Sequence, residues 1–576
     1  MHFTWKIGGE AGFGIMTTGL IFSKISSRLG YQVLDYVEYP SLIRGGHNAY
    51  EVCVSDEEIT ALKKEINVLV CLNEETFYKH KDRLVKQSLV IYDKEDFDFD
   101  DDFKKIHVSL NKIVHDFKGQ TVMKNTIALG ASLAILGAKI EVLLDLIKEQ
   151  FHKKGDQIIK FNQQFAIAGY EEVIKNYSSF LKNFLVEKNE KKEQLVLSGN
   201  DSFSLGAVLA DCRFYSAYPM TPSSSVLHTL ASWQEKTGMI VRHAEDEIAV
   251  INNALGASFA GVRAAVGTSG GGFSLMVESL SFAGVAEIPI VIFLAQRPGP
   301  ATGMPTWTEQ GDLLFAIFAG HGEFPKIVLA PGDQKEMFEL TLKAFNLADI
   351  YQTPVIVVSD MYLSEGHKTV DKNWLKEVID NYKINRGKIN LIKNKAFKNK
   401  KPEIFLRYKI TEDGISDKII PGTPGYFYQE NSYEHLEDGH TTEEKQPRKA
   451  QVEKRLRKWQ TYLKNDFQLP KFYGDYSAEI VFISWGSNKG VVLSAQKKLN
   501  EKGIITGFYH FNHIYPLEKE KVYKLLKKNK RYILVENNAL GQFGKILSME
   551  IGLEIKEKIL RYDGRPITVE DIIEKI

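Results

Sequence analysis

Four short motifs within residues 215–311 combine residue types that could bind and activate a small molecule. They read, in order, YPMTPSS (218–224), EDE (245–247), TSGGG (268–272) and QRPGP (296–300). Apolar runs precede these motifs, and such runs predict buried strands. In open α/β sheets, ligands bind beyond the carboxyl ends of the strands. A threonine, a glutamate and an arginine at three such strand ends therefore predict a site.

The composition places these motifs in a large protein with no overall charge preference. The chain has 576 residues and is 44% hydrophobic, with 74 basic and 73 acidic residues. Its length predicts about three or four domains. The balanced charge indicates neither nucleic-acid nor membrane binding. No signal peptide is predicted, and the longest uncharged apolar run, 126–138, is too short to span a bilayer.

The number and spacing of the cysteines indicate a reducing compartment and argue against an iron–sulfur cluster on this chain. Cys53, Cys71 and Cys212 lie far apart in or beside apolar runs, without a CxxC motif. This chain therefore offers no thiolate set for an iron–sulfur cluster. Sparse, odd-numbered cysteines fit a reducing compartment. We expect a soluble, cytoplasmic protein.

The N-terminal region predicts an α/β domain with a glycine turn. A strand-like run at 3–7 leads into GGEAGFG (8–14), and Asp35 follows about twenty residues later, as in dinucleotide-binding folds. The spacing is GxxGxG instead of GxGxxG, so tight packing of strand on helix is favoured over NAD or FAD binding. SLIRGGH (41–47) carries the cation Arg44, which could meet an anionic ligand or another domain, although an exposed loop is favoured.

Composition shifts divide the rest of the chain. Charged stretches near 183–192 and 386–402 predict linkers, and 420–465 has few apolar runs before a basic helix-like segment, 448–464. Alternating strand and helix patterns flank these stretches. The predicted organisation is an α/β domain at 1–182, a second at 195–385, a linker or partner-contact segment at 386–470, and a last α/β domain at 471–576.

In their order, these motifs resemble the fused γ–α subunit of a 2-oxoacid:ferredoxin oxidoreductase, of the 2-oxoglutarate oxidoreductase alpha type, over nearly the whole chain. The first domain is similar to the γ module and the second to the pyrimidine-binding domain of thiamine diphosphate enzymes. The last resembles a transketolase-type C-terminal domain through GS (486–487), VENN (535–538) and YDGRP (562–566). The resemblance implies a multi-domain α/β fold and CoA-dependent oxidative decarboxylation of a 2-oxoacid with reduction of ferredoxin. It favours 2-oxoglutarate, with pyruvate or a branched-chain 2-oxoacid as alternatives.

The resemblance also implies a catalytic residue. Thiamine diphosphate enzymes place a carboxylate at N1′ of the aminopyrimidine, favouring the tautomer that takes the proton from C2 of the thiazolium. Glu247 matches that carboxylate, with Gly256 nine residues later in the same helix pattern. Glu245 and Asp246 are the alternative assignments. The non-catalytic interpretation is that all three carboxylates only complement a helix N-terminus.

Two further residues are implied to contact the substrate. Thr221, between two prolines, matches a threonine that binds the keto or carboxylate oxygens, and Arg297 matches an arginine near the substrate carboxylate. Without the resemblance, a turn threonine and a surface arginine would be the simpler interpretations. The residues expected to bind the cofactor are Tyr218, Pro219, Thr268, Ser269 and Gly270.

The sequence departs from the family pattern at two positions. Gly271 replaces the proline of the usual TSGPG, which loosens a loop expected near the pyrimidine ring. The position after Thr306 is often basic in relatives, whereas this chain has Trp307. That departure puts in doubt any contact to substrate charge borrowed from this position.

The missing motifs imply a partner. The chain contains no Gly-Asp-Gly, the motif through which thiamine diphosphate enzymes bind the diphosphate and Mg²⁺. We therefore expect Mg²⁺ and a [4Fe-4S] cluster on a β subunit, no metal on this chain, and an (αβ)2 assembly that uses CoA and ferredoxin. A non-catalytic scaffold subunit and a non-oxidative thiamine-dependent decarboxylase are the alternatives.

Overall fold

The computed structural model describes residues 1–42, 45–188, 193–389, 401–526 and 530–576. Arg44 and residues 189–192 and 390–400 therefore lie outside the described residues. The chain forms two compact units: Met1–Ser198 with Glu365–Glu377, and Gly199–Ser364 with Val378–Ile576. Helices and strands alternate in both units, which confirms the multi-domain α/β fold class. The boundaries of the four predicted segments stay a prediction.

The described strands fall into three sheets and one two-stranded pair. They are β1 (His2–Glu10), β2 (Gln32–Glu38), β3 (His47–Ser55), β4 (Ile66–Cys71), β5 (Leu84–Tyr92), β6 (Lys104–His107), β7 (Gln194–Ser198), β8 (Cys212–Ala217), β9 (Ile240–His243), β10 (Arg263–Thr268), β11 (Ile290–Gln296), β12 (Ile327–Leu329), β13 (Pro354–Asp360), β14 (His367–Asp371), β15 (Glu403–Ile404), β16 (Tyr426–Phe427), β17 (Lys471–Gly474), β18 (Ile480–Trp485), β19 (Thr506–Phe511), β20 (His513–Tyr515), β21 (Arg531–Glu536) and β22 (Glu557–Leu560).

The described α-helices connect these strands. They are α1 (Ile15–Arg28), α2 (Glu74–His80), α3 (Leu110–Asp116), α4 (Lys124–Leu136), α5 (Glu141–Phe151), α6 (Asp156–Asn176), α7 (Gly199–Leu209), α8 (Ser224–Thr237), α9 (Glu247–Phe259), α10 (Gly270–Val285), α11 (Leu313–Phe318), α12 (Gln334–Tyr351), α13 (Met361–Glu365), α14 (Lys372–Asn381), α15 (Lys445–Asn465), α16 (Asn488–Glu501), α17 (Lys519–Leu526), α18 (Gln542–Ile551) and α19 (Val569–Ile573). None of them, within the described ranges, has both the length and the apolar character needed to cross a bilayer.

The first unit is built on a mixed eight-stranded sheet in the order β6-β5-β4-β1-β3-β2-β14-β7. Asp35, on β2, is completely buried there. Its carboxylate accepts hydrogen bonds from Ser23 Oγ at 2.8 Å, from the Tyr50 hydroxyl at 2.7 Å and from the backbone N–H of His367 at 2.6 Å. Because these groups occupy the carboxylate, Asp35 stabilises the core instead of facing a ribose. This supports the packing interpretation of the glycine turn.

The second unit contains the predicted strand ends in one sheet. The order is β20-β12-β13-β11-β10-β8-β9, with parallel pairing except at β20. A five-stranded sheet, β17-β19-β18-β21-β22, follows in sequence, and its Ile483 and Leu534 share one hydrophobic core with Val266 and Ile292 of the first sheet. Parallel strands that are buried on both faces are continuously apolar, which explains the runs seen in the sequence.

A buried charge cluster ties α15 to the end of α10. Glu287 is fully buried and forms ion pairs with Lys454 at 2.5 Å and with Lys458 at 2.6 Å. Arg407 donates to the backbone carbonyl of Glu287 at 2.9 Å. Burial alone would raise the pKa of Glu287, but the charges of Lys454, Lys458 and Arg407 hold that pKa well below its ordinary value. The carboxylate is therefore ionised and compensates the buried cations.

We expect Glu287→Gln to destabilise the second unit by about 3–5 kcal/mol, because it leaves Lys454 and Lys458 buried without an opposite charge. The measurement is thermal and urea unfolding of the purified chain. The matched control is Glu323→Gln, at an exposed position, with an expected change within about 0.5 kcal/mol. Equal unfolding free energies for the two variants would show that this ion cluster does not contribute to the stability of the fold.

Candidate functional site

The candidate site lies at the carboxyl edge of the seven-stranded sheet, where β8, β9, β10 and β11 end. Because these four strands are parallel neighbours, their following loops meet at one edge. The YPMTPSS motif follows β8, Glu247 begins α9 after β9, the TSGGG motif joins β10 to α10, and Arg297 follows β11. The sheet thus brings together the motifs that the sequence placed at separate strand ends.

Glu247 is the buried carboxylate among the three acidic residues. Glu247 is only 4% exposed to solvent, whereas Glu245 and Asp246 are exposed. Asp246 is the N-cap of α9 and accepts a hydrogen bond from the Ala249 backbone N–H at 2.7 Å. Helix capping therefore accounts for Asp246 and leaves Glu247 available. Burial raises the pKa of Glu247.

The N-terminus of α10 forms a close cradle against Glu247. A Cβ atom at Gly272 would lie 2.5 Å from Glu247 Oε1 and would also clash with Thr268 Oγ1, so only glycine fits at this position. The Gly272 N–H points to Met220 Sδ at 3.3 Å. Among the described residues, Glu247 Oε1 and Ser269 Oγ are buried without hydrogen-bond partners. Such orphaned buried polar atoms are costly unless a ligand or water satisfies them.

Arg297 and Thr221 contact each other on the neighbouring loops. Arg297 Nη1 donates to the backbone carbonyl of Thr221 at 2.8 Å, which fixes the guanidinium over the YPMTPSS turn. The contact uses the carbonyl of Thr221, so its hydroxyl is not engaged by Arg297. Because Arg297 uses one N–H group for this contact, its guanidinium keeps further N–H groups that can bind a carboxylate ligand.

Sequence reasoning did not select two further carboxyl groups: Asp312 interacts electrostatically with Arg297, and Glu309 interacts with Asp312. Asp312 lies so close to Gly270 that a Cβ there would collide with its carboxylate. Burial raises the pKa of Asp312 to about 6, although the charge of Arg297 opposes this. Burial and the charge of Asp312 raise the pKa of Glu309 to about 7. Both carboxyl groups therefore keep a proton up to a higher pH than ordinary carboxyl groups do.

The other predicted cofactor contacts lie at the same edge but differ in exposure. Tyr218 and Pro219 are exposed, and the Tyr218 ring centroid lies 6.0 Å from that of His243. Thr268 is completely buried, and Ser269 precedes the first residue of α10. The roles of these residues stay a prediction. Met220, Gly272 and Asp312 are the additional neighbours that only the three-dimensional arrangement reveals.

The structure offers no metal-binding cluster of its own within the ranges that it describes. No three His, Cys, Asp or Glu side chains there are grouped to hold an ion. Cys53, Cys71 and Cys212 are buried, separate and free. Burial raises the pKa of each thiol, so the thiolate form is disfavoured in all three.

Three family models match consecutive parts of the chain. Residues 4–172 match "Pyruvate ferredoxin/flavodoxin oxidoreductase", residues 205–454 match "Pyruvate flavodoxin/ferredoxin oxidoreductase, thiamine diP-bdg", and residues 478–572 match "Pyruvate:ferredoxin oxidoreductase core domain II". The candidate site lies within the second of these matches.

Curated relatives and a solved structure match all or most of the chain. The 2-oxoacid:ferredoxin oxidoreductase subunit alpha of Saccharolobus solfataricus is 33% identical, over 100% of this chain and 97% of the relative. The 2-oxoglutarate synthase subunit KorA of Methanocaldococcus jannaschii is 34% identical, over 60% of this chain and 88% of the relative. Among solved structures, 2-oxoglutarate:ferredoxin oxidoreductase from Magnetococcus marinus, with 2-oxoglutarate, coenzyme A and succinyl-CoA bound, matches with a TM-score of 0.89 and 29% identity, covering 100% of this chain and 98% of that one.

Proposed function

Because this chain belongs to the 2-oxoacid:ferredoxin oxidoreductase family as an alpha subunit, we propose that it forms half of an active site for CoA-dependent oxidative decarboxylation of 2-oxoglutarate. The observation that carries the proposal is the buried, unpartnered carboxylate oxygen of Glu247 in the glycine cradle of α10. The relatives support 2-oxoglutarate as the substrate: one is named 2-oxoglutarate synthase, and one solved structure holds 2-oxoglutarate and succinyl-CoA. Pyruvate and branched-chain 2-oxoacids are the competing substrates.

The residues at this edge fit the aminopyrimidine of thiamine diphosphate. Glu247 Oε1 is a buried acceptor that lacks a donor within the described residues, and the missing side chain at Gly272 lets the start of α10 pack directly against it. When bound, thiamine diphosphate would supply the nucleophilic carbon and the electron sink for decarboxylation. Glu247 would hold the pyrimidine N1′ proton, and Tyr218, Pro219, Thr268, Ser269 and Gly270 would line the ring.

Thr221 and Arg297 would orient the substrate. The Arg297 guanidinium, already fixed on the Thr221 carbonyl, offers its remaining donors to the carboxylate next to the keto group. The Thr221 hydroxyl would donate to the keto oxygen. Together they would hold the 2-oxoacid in one orientation, and such positioning lowers the entropic part of the barrier.

The remaining parts of the active site are assigned to a β subunit. The sequence lacks Gly-Asp-Gly, and its three cysteines are buried apart from one another. We therefore assign Mg²⁺, the diphosphate site and the [4Fe-4S] cluster to the partner, with ferredoxin as the electron acceptor and an (αβ)2 assembly. The free thiols fit a cytoplasmic location. The γ-type (1–182), pyrimidine-binding (195–385), connecting (386–470) and transketolase-like (471–576) segments remain our proposed division.

Reconstitution with the partner tests the proposal. The chain would be co-purified with the proposed β subunit and assayed for viologen reduction with 2-oxoglutarate, pyruvate and 2-oxoisovalerate, with and without CoA. We expect CoA-dependent reduction with the highest kcat/KM for 2-oxoglutarate. Preference for another 2-oxoacid would overturn the substrate assignment. CO2 release without CoA and without electron transfer would instead identify a non-oxidative decarboxylase.

Arg297→Ala is expected to raise the KM for the 2-oxoacid by about 10–100-fold, because a charge-assisted hydrogen bond contributes roughly 1.5–3 kcal/mol. The affinity for thiamine diphosphate should change little, since the lost contact is to the substrate carboxylate. Both quantities would be measured on the assembled complex. Arg213→Ala, exposed at the opposite end of β8, is the control. An unchanged KM in Arg297→Ala would limit Arg297 to supporting the turn.

A further inference from the structure

Arg565, in the loop between β22 and α19, is a cation held flat against the end of the loop that begins at Arg297. Its guanidinium carbon lies 3.2 Å from the centroid of the Trp307 ring. The loop beneath it is fixed, because the Thr308 N–H donates to the Gly564 carbonyl at 3.1 Å. A Cβ atom at Gly564 would lie only 3.1 Å from the Met304 Cε atom. Stacking and backbone bonds therefore set the position of this guanidinium.

This guanidinium has no acceptor among the described residues. Its Nη1 atom is buried without a hydrogen-bond partner, while the side chain as a whole is partly exposed. The neighbouring carboxylate, Asp563, accepts from the Arg565 backbone N–H at 2.9 Å and forms its ion pair with Arg561 at 3.0 Å. A buried donor without a partner costs free energy, and a stacked arginine offers a preorganised fork to carboxylates. The chemistry is that of an anion receptor.

Arg565 contacts the same loop that begins at Arg297, the residue proposed to bind the substrate. The segment after Arg297 closes on itself, since the Met304 N–H donates to the Pro298 carbonyl at 3.0 Å and the Trp307 N–H donates to the Met304 carbonyl at 3.2 Å. Arg297 is the first residue of this loop, and Trp307, whose ring carries Arg565 on one face, is its last residue. Two cations therefore lie at the two ends of the loop 297–307, and each has N–H groups without an acceptor in the described part of the chain.

We infer that Arg565 is a specificity-determining residue that binds the second, distal carboxylate of a dicarboxylic 2-oxoacid, while Arg297 binds the carboxylate beside the keto group. The inference rests on the proposed function and adds to it the residue that separates dicarboxylic from monocarboxylic substrates. Trp307 acts through Arg565 as a positioning residue, because its ring holds the guanidinium plane.

The test compares ligands that differ only in the distal carboxylate, using the complex of this chain with its β subunit. Arg565→Gln should raise the KM for 2-oxoglutarate about tenfold or more and leave the KM for 2-oxopentanoate within about twofold. Inhibition by glutarate, measured as Ki, should weaken by a similar factor, whereas inhibition by pentanoate should not change. Arg531→Gln, an exposed arginine paired with Glu557, is the matched control and should affect neither.

Arg565→Lys keeps the positive charge but loses the planar guanidinium with its paired N–H donors. This variant tests the inference if the Arg565→Gln chain does not assemble with the β subunit. Its KM should rise several-fold for 2-oxoglutarate alone. Equal KM shifts for 2-oxoglutarate and 2-oxopentanoate would overturn the inference and reduce Arg565 to a structural stack. A shift confined to the KM for CoA would also overturn it, assigning the anion to CoA. A wild-type complex inactive with every 2-oxoacid would instead contradict the proposed function itself.

Discussion

Replacing Glu247 with glutamine is expected to lower turnover of the assembled enzyme by about 10²–10⁴-fold, the range found for lost acid–base catalysis. Glutamine keeps the size of the side chain, so the cradle formed by Gly272 remains filled and the fold should not change. What is lost is the carboxylate that can hold a proton at the pyrimidine N1′. The raised pKa of the buried Glu247 is compatible with that proton-holding role.

The comparison with Glu245→Gln separates a catalytic carboxylate from a helix-terminal charge. Glu245 is exposed two residues earlier, so its loss should reduce turnover by no more than about twofold. Viologen reduction with saturating 2-oxoacid and CoA measures both variants, and co-purification confirms that the β subunit still binds. A strong loss in Glu245→Gln with little loss in Glu247→Gln would mean that the wrong carboxylate was assigned.

Purified without its partner, the chain is expected to show no thiamine-dependent turnover, no bound iron and no tight Mg²⁺-dependent binding of thiamine diphosphate. The physical reason is that the groups for the diphosphate and for electron removal are missing: there is no Gly-Asp-Gly, and the three cysteines are buried far apart. Metal analysis, calorimetric titration of thiamine diphosphate with Mg²⁺, and the viologen assay measure the three quantities.

Adding the β subunit provides the control for that prediction. Turnover and tight cofactor binding should appear in the complex, with the iron on the β subunit, and turnover should be lost when the complex is dissociated. Tight Mg²⁺-dependent binding by the isolated chain would contradict the half-site assignment. A complex whose activity is unaffected by Glu247→Gln would instead support the non-catalytic scaffold alternative.

The strands that position the site could be predicted from the sequence because they are locally encoded. For example, the apolar stretch IVIFLA (290–295), which directly precedes the QRPGP motif, lies within β11 (Ile290–Gln296). Continuous apolar runs that end at glycine, proline or acidic residues are typical of buried parallel strands. Since the loops after neighbouring parallel strands meet, the motifs could be predicted to meet as well.

Features that depend on distant residues could not be predicted in this way. Strand β14 (His367–Asp371) pairs with β2 and β7 in the first unit, although its residues follow the site motifs in sequence. From the sequence, the lysines of the basic segment 448–464 would be expected to face solvent. In the structure, Lys454 and Lys458 are instead paired with the buried Glu287. Likewise, nothing near Trp307 in sequence indicates that Arg565 stacks on it. These pairings are set by tertiary packing and have no local pattern.

Proton exchange at C2 of bound thiamine diphosphate tests the central claim most directly. The complex would be mixed with D2O, quenched with acid at set times, and the C2 proton followed by NMR, for wild type, Glu247→Gln and Glu245→Gln. We predict that Glu247→Gln slows exchange by about the same 10²–10⁴-fold factor as turnover, while Glu245→Gln exchanges like wild type. Equal exchange rates in wild type and Glu247→Gln would contradict the assignment of Glu247 as the activating carboxylate.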